Sequence, residues 1–144
     1  MAGTLSASTD SLAPALDALR LSLHILAATV WVGGQLVMVG LVGTARRISA
    51  DAPRAIARAF ARISWPAFAV LIATGIWNVA ATHPAQQSGP WRVVLWVKVA
   101  VVVMAGLAAY LHSRSSTKRA TALWGSLSGL SALGALVLGV FLAG

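Results

Sequence analysis

Four side chains in this sequence combine useful chemistry with unusual surroundings: His24, His83, His112 and Lys98. A neutral imidazole is both a proton shuttle and the commonest metal ligand. His24 and Lys98 stand inside long apolar runs, where polar groups are costly and are functional candidates by default. Asn78 belongs with them, and Thr74 lies one turn away on the same helical face. Other chemistries are excluded by composition. The 144 residues contain no cysteine, which removes disulfides, thiolate metal sites and thiol nucleophiles. The three acids, Asp10, Asp17 and Asp51, all fall outside the apolar runs, so no paired-carboxylate catalysis and no intramembrane carboxylate are available. Phosphate-loop and serine-triad spacings are absent. Any chemistry must use His, Lys or a bound cofactor.

The elements that position these residues are transmembrane helices. The chain is 58% hydrophobic and 10% charged, with mean hydropathy +0.82. That is too apolar for a soluble fold of this size. Apolar runs at 19–43, 65–82, 91–111 and 122–142 are each long enough to cross a bilayer, which takes about 20 residues. The fold class predicted is all-α, an integral membrane four-helix bundle over residues 19–144, preceded by a flexible tail at 1–18. The tail has no basic residue, so it does not read as a secretory signal.

Charge sets the expected orientation. The net charge is +8, but the positives cluster between runs rather than forming a nucleic-acid surface, and no nucleic-acid partner is expected. Arg46, Arg47, Arg54, Arg58 and Arg62 occupy the first loop, and Arg114, Lys118 and Arg119 the third. The second loop has only His83 and Arg92. Loops one and three are therefore expected in the cytoplasm and both termini outside. Trp65, Trp91 and Trp124 fall at span ends, as interfacial tryptophans do.

Two surfaces follow from periodicity. Asp51 and Pro53 signal a helix start, and Arg54, Arg58 and Arg62 then recur every four residues. This predicts a short amphipathic helix on the inner leaflet, anchored to the lipid bilayer and separated from span two by Pro66. In span four, Gly125 and Gly129 form a GxxxG pattern within a small-residue face. Such a face packs inside the bundle or joins two copies as a homodimer through the fourth span.

Depth sorts the candidate residues. With Arg20, Thr82 and Trp91 as outer ends, His24 and Asn78 lie about 6 Å deep and Lys98 about 10 Å deep. His112 is about 21 Å below Lys98, at the opposite leaflet. His24 and His112 are therefore not two axial ligands of one heme. Purely structural roles compete for each residue: a carbonyl partner for His24, outward snorkelling for Lys98, a solvated interface for His112, an ordinary loop position for His83. Met38 and Met104 sit in the inner half, away from His24.

Leu23-His24-Ile25-Leu26-Ala27-Ala28-Thr29-Val30-Trp31-Val32-Gly33-Gly34 resembles the opening helix of the copper resistance D (CopD-type) membrane domain. Arg58-Ala-Phe60-Ala-Arg62-Ile-Ser64, Ala73 to Asn78, Trp91 to Lys98 and Tyr110-Leu-His112 extend the similarity from about residue 19 to 114. The resemblance implies copper transport or tolerance at the bacterial cytoplasmic (inner) membrane, beside a periplasmic copper-binding partner. Copper ion would be held by His24, with His83 or His112 as further metal ligands, and Gly33 and Gly34 would serve helix packing. The same positions are similar to the HemJ-type membrane protoporphyrinogen oxidases. That likeness implies heme b, with His24 as axial ligand, Lys98 and Arg92 as partners of the propionates, and Asn78 and Trp31 beside the cofactor. The chain departs from both patterns: no soft ligand stands near His24, as copper(I) prefers, and Val32 to Gly43 lacks the charged motif usual in the oxidases. A scaffold subunit without chemistry of its own is the third reading.

Overall fold

The computed structural model describes residues 12–143, with side chains placed from Ala15 onward. Among the described residues the chain forms α1 (Leu12–Ala28), a π-turn (Thr29–Gly33), α2 (Gly34–Ile48), α3 (Ala52–Ala81), a 3-10 turn (Pro84–Gln86), α4 (Gly89–Arg114) and α5 (Lys118–Ala143). The stretch α1–π–α2 is continuous, so four helices are long and apolar enough to span a membrane. The short links at 49–51, 82–88 and 115–117 make sequential spans antiparallel neighbours. The 82–88 loop, the start of α1 and the end of α5 therefore share one end of the bundle, and the arginine-rich links share the other.

Large apolar side chains point outward. Ile25 is 64% exposed, Val39 75% and Phe141 72%. The buried positions are mostly small: Ala27, Ala45, Ala105, Ala108, Ala132 and Ala135. Water would not tolerate this arrangement, and lipid does, because association inside a membrane depends on close packing rather than on hiding apolar surface.

The first helix begins earlier than the hydropathy run. Pro14 and Asp17 look like tail residues, but proline is tolerated in a first helical turn. Arg20 therefore lies about 12 Å inside the helix rather than at its end. The part of the expected tail at 1–11 falls outside the described residues.

The arginine helix is not separate. Arg54, Arg58 and Arg62 are exposed, but they ride on the first turns of α3, which continues through Pro66 to Ala81. Pro66 removes the bond to the Arg62 carbonyl without ending the helix, as proline often does in membrane helices. At about 45 Å, a 30-residue helix exceeds the hydrocarbon core by several turns. The arginines occupy the excess. The helix start rests on Pro53 and on Ser49, whose Oγ accepts from the Ala52 N–H at 3.0 Å, while Asp51 makes no capping bond.

The centre of the bundle is the π-turn. Thr29 Oγ1 donates to the Ile25 carbonyl at 2.9 Å, competing with the regular backbone ladder there. The widened turn lets the consecutive residues Trp31 and Val32 both enter the core, where they meet Ala105 of α4, Ala132 of α5, and Phe68 and Leu71 of α3. Trp31 stacks on Phe68 at 4.4 Å between centroids and meets Trp65 edge-on at 5.7 Å. Trp65, expected in the interfacial belt, thus belongs to this aromatic cluster.

Glycines make the close approaches. A Cβ at Gly34 would fall 2.7 Å from Phe60 Cζ, one at Gly106 2.6 Å from Phe68 Cζ, and one at Gly125 2.9 Å from His112 Nδ1. Gly33 has only Thr29 Cγ2 near it, at 4.0 Å. On α5, Gly125 faces His112, Ser128 bonds α4, Gly129 faces Gln35 and Gly139 faces Lys98. The small-residue face is consumed within the bundle, and Leu130, Val137, Val140 and Phe141 point outward.

Candidate functional site

One group of interior polar side chains lies toward the end of the bundle where α1 starts, α5 ends and the 82–88 loop turns. His24 of α1 reaches across to α3, with Nδ1 2.8 Å from Thr74 Oγ1. Thr74 Oγ1 in turn donates to the Val70 carbonyl at 2.7 Å. A hydroxyl has one proton to give. Spent on Val70, it leaves Thr74 to accept, so His24 donates from Nδ1–H. In the Nδ1–H tautomer the Nε2 lone pair is free, the arrangement in which an imidazole serves as a ligand with its other nitrogen fixed by a neighbour. Gly75 makes room for the ring: a Cβ there would lie 3.6 Å from His24 Cε1.

Lys98 approaches from α4. Its Nζ lies 3.0 Å from where a Gly139 Cβ would be. Neither His24 Nε2 nor Lys98 Nζ is sealed inside the protein, and neither has a hydrogen-bond partner among the described residues. Both therefore open toward the surroundings of the bundle rather than into a closed cavity.

Asn78 sits one turn beyond Thr74. Its Oδ1 is sealed and unpartnered among the described residues. Arg20, one turn before His24 on the same face of α1, is the residue that sequence reasoning missed. It is only 8% exposed. It pairs with Asp17 at 2.9 Å through Nη2, while Nε and Nη1 are sealed without partners among the described residues. The signal was present in the spacing of Arg20, His24, Ala27 and Trp31 along one helical stripe.

The other expected residues lie elsewhere. Arg92 is exposed and lines an open surface groove with Gly89, Val93, Trp96 and Val97, on a face of α4 turned well away from Lys98. Trp31 is held in the core about 10 Å below His24. His83 lies exposed in the 82–88 loop with φ 46°. His112 stands at the far end of α4, where Nδ1 contacts the Thr121 carbonyl at 2.8 Å. The three histidines are not brought together, and no group of three or more His, Cys, Asp or Glu side chains is placed to hold a metal among the described residues.

A second polar contact crosses the bundle below the aromatic cluster. Ser128 Oγ donates to the Ala105 carbonyl at 3.1 Å and lies 3.5 Å from the Gln35 amide oxygen as drawn. With its proton committed to Ala105, Ser128 can only accept from Gln35, so the amide group belongs in the flipped orientation, with Nε2 toward Ser128. This ties span one, α4 and α5 together.

Compared with family models, with curated proteins and with solved structures, the chain matches none.

Proposed function

We propose that this multi-pass membrane protein binds heme b through His24 at the non-cytoplasmic leaflet of a bacterial inner membrane. The observation that carries the reading is the pairing of one free imidazole nitrogen with two cationic side chains against a single, largely exposed acid. His24 Nε2 is left available by the Thr74 bond. Lys98 faces Gly139 of α5 at the same end of the bundle, and Arg20 lies one turn from His24. Asp17, on the outward side of Arg20, is 61% exposed. This donor set fits a ligand that joins a metal to carboxylates. It suits a bare copper ion less well, because Lys98 and Arg20 repel a cation, and no thioether or thiolate stands beside His24.

In this reading His24 would hold the heme iron, Thr74 fixes the tautomer and ring orientation of His24, and Lys98 would neutralise a propionate. Bound heme would supply a one-electron centre whose potential the axial ligand and its surroundings tune. The orientation follows the arginine-rich links, which favour the cytoplasmic side.

The test is an absorption spectrum with metal analysis of the protein purified in detergent from heme-replete cells. A Soret band with about one iron per chain is expected, and His24→Ala should remove both. Copper without a Soret band would move the assignment to copper handling. A colourless, metal-free protein would leave the scaffold reading.

A further inference from the structure

We infer that the Arg20 guanidinium is a receptor for the oxyanion of a membrane amphiphile, a carboxylate or a phosphate, and that Asp17 stands in for that group when it is absent. A guanidinium offers five N–H donors in a planar fork that matches two-oxygen anions. Here it is more than nine-tenths buried, and one ordered partner touches it, Asp17 Oδ1 on Nη2 at 2.9 Å. Asp17 sits three residues back on the same helix, and its short side chain engages with a single oxygen. Nη2 carries two protons, one on each two-pronged edge of the fork. Whichever proton Asp17 takes, the opposite edge, made with Nε or with Nη1, remains whole. Those two nitrogens are the sealed atoms without partners among the described residues.

A buried charge with unused donors is costly unless something completes it. Asn78 adds a second sealed polar atom without a partner in the same layer. Its amide can present either oxygen or nitrogen, since the two orientations are not distinguished by shape. The way in is marked by Asp17 itself. Its side chain is 61% exposed, so the carboxylate can swing away from the guanidinium. An incoming two-oxygen anion displaces it at Nη2 and also engages Nε or Nη1, which the tethered carboxylate does not reach.

The oxyanion has two sources with the same chemistry. One is a heme propionate, and that source rests on the function proposed above. The other is an anionic lipid headgroup, which does not. The experiment uses the full chain in detergent, as wild type, Arg20→Gln and Asp17→Asn. Binding of heme b and of heme dimethyl ester is read by Soret titration. Retention of phosphatidylglycerol against phosphatidylcholine is read by native mass spectrometry.

If the propionate is the ligand, Arg20→Gln weakens heme b binding about 10- to 100-fold while leaving the ester unchanged. Asp17→Asn, which removes the competitor, tightens heme b binding. If no variant binds heme but phosphatidylglycerol is retained in preference to phosphatidylcholine, lost with Arg20→Gln and enhanced by Asp17→Asn, the receptor stands with a lipid as its ligand, and the heme assignment falls alone. The inference is overturned if Arg20→Gln matches wild type on both probes, or if Asp17→Asn fails to tighten either. The aspartate variant guards against misfolding, since a damaged fold does not produce tighter binding.

Discussion

The two ends of the bundle carry their positive charge in opposite ways. At the arginine end, Arg46, Arg47, Arg54, Arg58 and Arg62 are all exposed and stand on helix turns that overrun the hydrocarbon. At the other end Arg20 is buried and Lys98 half-buried, each on a face turned toward neighbouring helices. Charge in the first setting is cheap and acts as a sum. Charge in the second is expensive, and each group needs an individual reason to be there. The histidines both direct Nδ1 at an oxygen and differ in their neighbours: His24 shares its face of α1 with the buried Arg20, while His112 is exposed and packs against Gly125. Number and position within the chain do not separate structural cations from functional ones; surroundings do.

The contrast is tested most sharply by exchanging losses between the ends. His24→Ala should abolish the Soret band, whereas His112→Ala should leave it intact and cost about 1 kcal/mol of stability through the Thr121 contact. Recovery of full heme content with His24→Ala would erase the distinction. Next in size is packing at the arginine end. Gly125→Leu drives side-chain atoms into the His112 ring and should destabilise the bundle by about 2 kcal/mol. Gly40→Leu, where an added Cβ meets nothing within 4 Å, should stay within about 0.5 kcal/mol. Thermal unfolding in detergent compares the two, and equal effects would show that α5 does not pack as described.

Back in the polar layer, Thr74→Val keeps the shape but removes the acceptor for His24 Nδ1–H. Heme affinity should fall about tenfold, the lower part of the range for groups that orient a ligand. The smallest effect is expected from Arg54, Arg58 and Arg62 together changed to Gln. The spectrum should not change, and stabilisation by phosphatidylglycerol over phosphatidylcholine should shrink by less than about 1 kcal/mol per arginine. A lost Soret band in that variant would link the two ends in a way the structure does not.

The spans were legible because hydropathy over some twenty residues averages out local detail. Local detail is where reading the sequence went astray. Pro66 was expected to break a helix that neighbouring spans hold together. Leu12 to Asp17 look like a tail because Pro14 suits a helix start as well as a loop. Arg20 escaped as a site residue because a lone arginine beside an apolar run looks like its boundary. Arg92 and Lys98 lie six residues apart, which at about 100° per residue turns them well away from each other, so their separation could have been counted. The His24–Thr74 bond and the seating of His112 on Gly125 could not, since each joins residues whose mutual rotation depends on how two helices pack.

The π-turn at Thr29–Gly33 sets the phase of the first span. It holds one residue more than a regular turn would, and about 100° of rotation separates the two halves from the alignment a plain α-helix would impose. Above it, Arg20 and His24 look toward α3; below it, Gln35 looks toward α5. Deleting Val30 would return the span to a single register and swing the two halves out of step with their neighbours. One inserted residue thus lets a single rod stay against α3 through Gly34 while turning Gln35 toward α5.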